Sequence, residues 1–307
     1  MILSRYVHKV HFMHIMQSAL FRGLFFVLFG AKNTAQTSLQ KLPIYNTLCM
    51  SLGEVNTGAL EVNPVTTLAK FDNHLMDGLL FCKMAYSVFA NIRKQENGIE
   101  RIRLRNDKLS KKLIEEILPL ARYIQARYNL GQQIKVRWVD GNQKYDARIL
   151  FSGGLVEHLY TPKNQYVEIT TAVHEKDHIL RRLINEGRPT FGVKGIEKMS
   201  GVKGYQSHPY VYRNDEAEVD LSNKILEMIQ VKDAKDYPFG TVLIVQCFLS
   251  RGLLQDEWDH AINLVKNNIV AHKFYEIFLF DANHQYSSTL FGDRQIRLDT
   301  IHMGRRR

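Results

Sequence analysis

IKVRWVDGNQKYDARILF (134–151), YVEITTAV (166–173) and HEKDH (174–178) together decide the fold. Side chains of a strand alternate between its two faces. Ile134, Val136 and Trp138 therefore share one face, and Lys135 and Arg137 the other. Asp140-Gly141-Asn142 is a turn signal. A second strand is expected over Tyr145–Phe151, with Asp146, Arg148 and Leu150 on one face. Gly153-Gly154 opens a longer connection, and a third strand follows over Tyr166–Val173, with Glu168, Thr170 and Ala172 on one face.

Reading outward, SKKLIEEILPLARYIQARYN (110–129) places Leu113, Ile117, Leu120, Ile124 and Tyr128 at helical spacing. Ser110 is a candidate N-cap, Pro119 kinks or breaks the helix, and Gly131 ends it. After the strands, 174–186 is expected to be helical. Residues 187–215 carry five glycines and are expected to form a hairpin or extended loop inserted on the domain. A helix over 217–231, an apolar strand over 240–249, a helix over 257–267 and a strand over 274–281 complete the order. The pattern predicts an α/β fold: a mixed central sheet flanked by helices on both faces. No internal repeat is visible.

The 307 residues carry a net charge of +10 with a pI near 9.4, which favours polyanionic partners such as DNA or RNA. Three dispersed cysteines (Cys49, Cys82, Cys247) fit neither a disulfide framework nor a zinc finger, and point to a reducing, cytoplasmic compartment. The domain plan is an N-terminal segment over 1–75, an α/β domain over 76–290 with an insertion at 187–216, and a basic tail over 291–307. Met1–Gly53 contains no Asp or Glu. Its apolar run ALFRGLFFVLFGA (19–31) is shorter than the ~20 residues a bilayer span needs. It reads as the core of a targeting peptide, a membrane-surface helix, an extra subdomain, or sequence upstream of a true start at Met50, Met76 or Met84.

Asp146 and Glu168 on neighbouring strands are the candidate ligands for a hard divalent cation, Mg²⁺ or Mn²⁺. Glu115 or Glu116 on the preceding helix is a candidate third ligand. Lys111, Lys112, Arg137, Lys144 and Arg148 suit a phosphate backbone. The alternative is structural: Asp146 and Glu168 on a solvated sheet face, paired with Arg148 or a cross-strand lysine.

At KYDAR and VEITT the chain resembles the PD-(D/E)XK, or restriction-endonuclease-like, nuclease superfamily, over roughly residues 110–281. The resemblance implies a restriction-endonuclease-like core with Asp146 as the metal-binding aspartate, Glu168 as the second acid, and Glu115 or Glu116 as the helix acid. The family's lysine position holds Thr170, and Tyr145 stands where a proline precedes the aspartate. Lys176 is the candidate to supply the missing charge. The resemblance implies metal-dependent phosphodiester hydrolysis, or nucleic-acid binding without cleavage on the same fold.

His174, Glu175 and His178 also form a literal H-E-x-x-H, the pattern of zinc peptidases. Lys176 and Asp177 between them are charged, and no third ligand is evident. Trp138 and Trp258 read as packing residues. Tyr205, Tyr210 and Tyr212 lie near Lys203, His208 and Arg213, and could stack on bases.

Overall fold

The computed structural model describes residues 68–291, apart from 130, 155–162, 202–203, 214, 250–251 and 284. The expectations for 1–67 and for the tail from 292 onward lie outside the described residues. In chain order the elements begin with β1 (Met76–Asp77), α1 (Gly78–Lys94), α2 (Gly98–Leu104) and α3 (Lys108–Lys112). A turn of π-helix over Leu113–Ile117 leads into α4 (Leu118–Arg127). The meander β2 (Gln133–Trp138), β3 (Ala147–Ser152) and β4 (Asn164–Ala172) comes next. Then come α5 (Asp177–Asn185), β5 (Ile196–Lys198), β6 (Tyr205–Ser207) and α6 (Glu216–Asp233). The last elements are β7 (Thr241–Cys247), α7 (Gln255–Asn268), β8 (Glu276–Asp281) and β9 (Ser287–Phe291).

One seven-stranded sheet runs β1-β2-β3-β4-β7-β8-β9. Pairing is antiparallel from β1 to β4, parallel across β4-β7-β8, and antiparallel again at β9. The mixed sheet is therefore the one the sequence predicts. On one face Val136, Ile149, Val167, Ile169 and Ile244 pack against Phe81 and Ala85 of α1 and Leu120 and Ile124 of α4. On the other, Leu243, Val245, Ile277 and Leu279 pack against Ile225 and Ile229 of α6 and Trp258 and Ile262 of α7. Every residue of β7 and β8 is buried, which explains their unbroken apolar runs. The insertion over 187–215 forms the β5–β6 hairpin, with Ile196 in a small cluster with Ile179 and Leu183.

Three local readings change. The helix expected from Ser110 starts earlier, and Asp107 is its cap. Asp107 Oδ1 accepts from the Ser110 N–H at 2.9 Å, and Oδ2 accepts from the Ser110 hydroxyl at 2.8 Å. Pro119 has no N–H to donate, and just before it the α-ladder gives way to π-helix, the Leu118 N–H reaching Leu113 O. The domain also starts before residue 76. Leu68 and Phe71 are buried in the first core, Phe71 meets Phe81 edge-to-face at 5.3 Å, and the Asp140 N–H donates to Asp72 Oδ1 at 2.9 Å.

Across the far edge of the sheet, Arg127 of α4 pairs with Glu276 of β8, whose side chain is only 5% exposed. Arg127 also lies over the rings of Tyr123 and Phe278. Burial holds the Glu276 pKa up against the pull of Arg127. Removing one partner of such a pair leaves an uncompensated buried charge. Arg127→Ala should therefore lower unfolding stability by about 3 kcal/mol at pH 7, with Arg127→Met/Glu276→Gln recovering most of it. Equal denaturation midpoints for Arg127→Ala and wild type would refute this.

Candidate active site

The β3–β4 register sets Ala147 against Val167 and Arg148 against Tyr166, and Asp146, just before β3, follows at the end of this ladder near Glu168. The Asp146 N–H donates to Val167 O at 2.8 Å, and the Ile169 N–H donates to Asp146 Oδ2 at 2.7 Å. These bonds fix the carboxylate against the middle of β4. Glu168 itself is 7% exposed and is flanked on its other side by Leu243 of β7.

A buried carboxylate needs a cation or a proton. Lys232, in the last turn of α6, donates to Glu168 Oε1. Its position near a helix C-terminus is favourable for a cation. Tyr237, five residues on, lies beside the same carboxylates, and burial followed by the Glu168 charge drives its phenol pKa up. Asp146 is pushed up to about 7, first by burial, then by Glu168 and Glu116; the Ile169 N–H and Lys232 oppose the shift.

Glu116, rather than Glu115, is the helix acid whose charge reaches this pair. Glu115 is engaged by Arg105 at 3.0 Å, while Glu116 accepts from Lys112 at 2.7 Å and from Trp138 Nε1 at 3.2 Å. Thr170 lies on β4 opposite Val245, two residues along from Glu168. Lys176 does not supply the charge: its ammonium donates to Ile196 O at 3.0 Å, tying α5 to the insertion. The cation at the site is Lys232, which sequence reasoning missed. It lies 64 positions from Glu168, and only the packing of α6 brings it there.

Of the basic residues singled out, Lys111 is exposed on α3. Lys112 is held between Glu116 and Asp140, and Lys144 pairs with Asp236 at 2.5 Å. Arg137 and Arg148 face each other across β2–β3.

HEKDH does not form the helical pair a zinc peptidase requires. The helix begins at Asp177, so His174 and Glu175 precede it. His174 Nδ1 accepts from the Lys176 N–H at 3.1 Å, and His178 Nδ1 sits 2.9 Å from Glu175 O. His174 instead lines a cavity of about 210 Å³ at the carboxyl ends of β4 and β7, with Lys194, Tyr212 and Asp220. Among the described residues, no three His, Cys, Asp or Glu side chains converge as a metal cage. What does come close is a pair of carboxylates, Asp146 bonded to the Ile169 N–H and Glu168 to Lys232, with the Tyr237 hydroxyl beside Glu168.

Comparison with protein-family models, curated proteins and solved structures finds no match. Among the described residues no helix is long and apolar enough to cross a membrane.

The raised pKa of Asp146 has a definite sign. Below its ordinary value of 3.8 the side chain is protonated in both folded and unfolded chains. Between there and about 7 the unfolded chain has lost the proton and the folded one keeps it, so stability falls as pH rises through that window. In EDTA, wild type should therefore lose about 2 kcal/mol more than Asp146→Asn on going from pH 5 to pH 8, allowing for solvent screening. Parallel stability profiles for the two proteins would contradict the assignment.

Proposed function

We propose that this chain acts on nucleic acid, as a phosphodiesterase of the restriction-endonuclease-like kind, using Mg²⁺ or Mn²⁺ held by Asp146 and Glu168. The observation that carries this reading is the seating of the Asp146 carboxylate against the middle of β4, bonded to the Ile169 N–H and close enough to feel the Glu168 charge, with Lys232 drawn to Glu168. The order of elements also supports it: a helix, three strands bearing Asp and then Glu, a helix and a further strand.

Each side chain has a distinct part in the proposal. Asp146 and Glu168 offer one oxygen apiece to the cation, which when bound supplies charge stabilisation at a phosphate and an activated water. Lys232 takes the part left open by Thr170. Its ammonium pairs with Glu168 and places positive charge near the incoming water. Glu116 adds negative charge that deepens the attraction for a cation, without being a ligand itself.

A second reading is favoured by one specific observation. Asp146 Oδ2 and Glu168 Oε1 already have partners in the chain, as they would in a site that has become structural. Such a protein would bind nucleic acid in a salt-sensitive way and cleave nothing in any divalent cation.

Asp146→Ala and Glu168→Ala should each abolish Mn²⁺-dependent cleavage of DNA and RNA substrates, and Lys232→Met should reduce it at least ~100-fold. Mn²⁺ should also raise the thermal midpoint of wild type but not of Asp146→Ala, a readout independent of turnover. Cleavage that survives in both carboxylate variants rules the site out, while binding without cleavage in wild type selects the second reading.

A further inference from the structure

Among the described residues, the face of β2–β3 that carries Lys135, Arg137, Arg148 and Leu150 is partly exposed, whereas Ile134, Val136, Trp138, Ala147, Ile149 and Phe151 on the other face are all buried. Along β2 the burial alternates, with Ile134, Val136 and Trp138 inside, and Lys135 and Arg137 on the accessible side. Arg137 stands directly opposite Arg148 of β3. Like charges in that position repel, since directly opposite residues have their Cβ atoms only about 5 Å apart. Among the described residues neither arginine has a carboxylate within ion-pair distance. Arg148 Nε donates to the neutral Asn164 Oδ1 at 2.6 Å. Arg137 Nε is buried without a hydrogen-bond partner.

A guanidinium donor left without a partner beside a second guanidinium attracts anions, and the planar fork of arginine matches phosphate oxygens two at a time. The location narrows the choice. Arg148 is two residues beyond Asp146 in the chain, in the first pleat of β3. Next to it the rings of Tyr145 and Tyr166 sit 4.8 Å apart, and Tyr166 is the β4 partner of Arg148. Two aromatic rings beside a phosphate site suit a base attached to that phosphate.

We propose that Arg137 and Arg148 form a clamp for one backbone phosphate of a nucleic-acid strand, adjacent to the Asp146–Glu168 pair and flanked by Tyr145 and Tyr166. This rests on the nucleic-acid reading above and adds the position of the strand. It also explains the close like-charge pair, which otherwise only destabilises the sheet. Lys112 and Lys144, engaged by Glu116, Asp140 and Asp236, are left out of the clamp.

The test is fluorescence anisotropy with short labelled single-stranded DNA and RNA in EDTA, where binding is read without metal or cleavage. Arg137→Gln and Arg148→Gln should each weaken binding about tenfold, and the double variant little more than either, because the two act on one phosphate. The salt dependence of binding should lose about one phosphate contact in each variant. Lys94→Gln, exposed in the last turn of α1 on the opposite side of the sheet, should change affinity less than twofold. The thermal midpoint of Arg137→Gln should equal or exceed that of wild type, since repulsion is relieved. Wild-type binding with unchanged affinity in both arginine variants overturns the clamp and leaves the nucleic-acid reading standing. A lowered midpoint in Arg137→Gln assigns that residue to the fold and also overturns the clamp. Failure of wild type to bind either oligonucleotide, or binding only to anionic vesicles, overturns the nucleic-acid reading and the clamp with it.

Discussion

β4 is the strand on which the rest depends. It pairs antiparallel with β3 along one edge and parallel with β7 along the other. Its period of two sends Val167 and Ile169 into the core beneath α1 and α4, and turns Glu168 and Ala172 to the opposite face. A slip of one residue would exchange those sets and put the carboxylate into the first core, so the register is strongly specified. Glu168 is tolerated in so enclosed a place because α6, crossing back from the end of β4 to the start of β7, delivers Lys232 to it. The sheet pairing, the return of α6 and the charge state of the proposed site are thus one problem with one solution.

The fold was legible wherever periodicity was clean. The alternation at 134–138 and the apolar runs of β7 and β8 identify strands, because burial on one or two faces writes itself directly into sequence. α1 was not read, although Phe81, Cys82, Ala85 and Ile92 follow helical spacing and are buried. β9 was also missed. It depends on a turn in which buried Asp281 accepts from the Asn283 and Tyr286 N–H groups, and only Leu290 of its five residues is buried. The two candidate carboxylates stand out locally, Glu168 through the alternation of β4 and Asp146 as the acid just before β3. Their cation does not, because no local pattern marks which lysine of a distant helix will turn inward. HEKDH misled for the opposite reason: its spacing is right, but the helix starts three residues too late for both histidines to lie on it.

The net charge of +10 says less than its distribution. Lys194 of the insertion is bound by Glu216 and Asp220 of α6 and lies over the rings of Tyr210 and Tyr212. Arg105 is buried against Glu115 and Phe248. These cations fasten elements to one another and present little field to a partner. The β2–β3 face differs because its arginines answer to no acid among the described residues.

The turn of π-helix before α4 sets more than a bend. Each residue advances a helix by about 100°, so one extra residue in a turn rotates everything before it relative to everything after. Glu115 and Glu116 are adjacent, and the phase of that turn decides which of them meets Trp138 and the strand carboxylates and which meets Arg105. Loss of a single residue there would restore regular α-helix with the core-facing positions of α4 undisturbed, yet exchange the two acids. Helix phase, set by a proline two residues beyond the π-turn, acts here as an address selecting between chemically identical side chains.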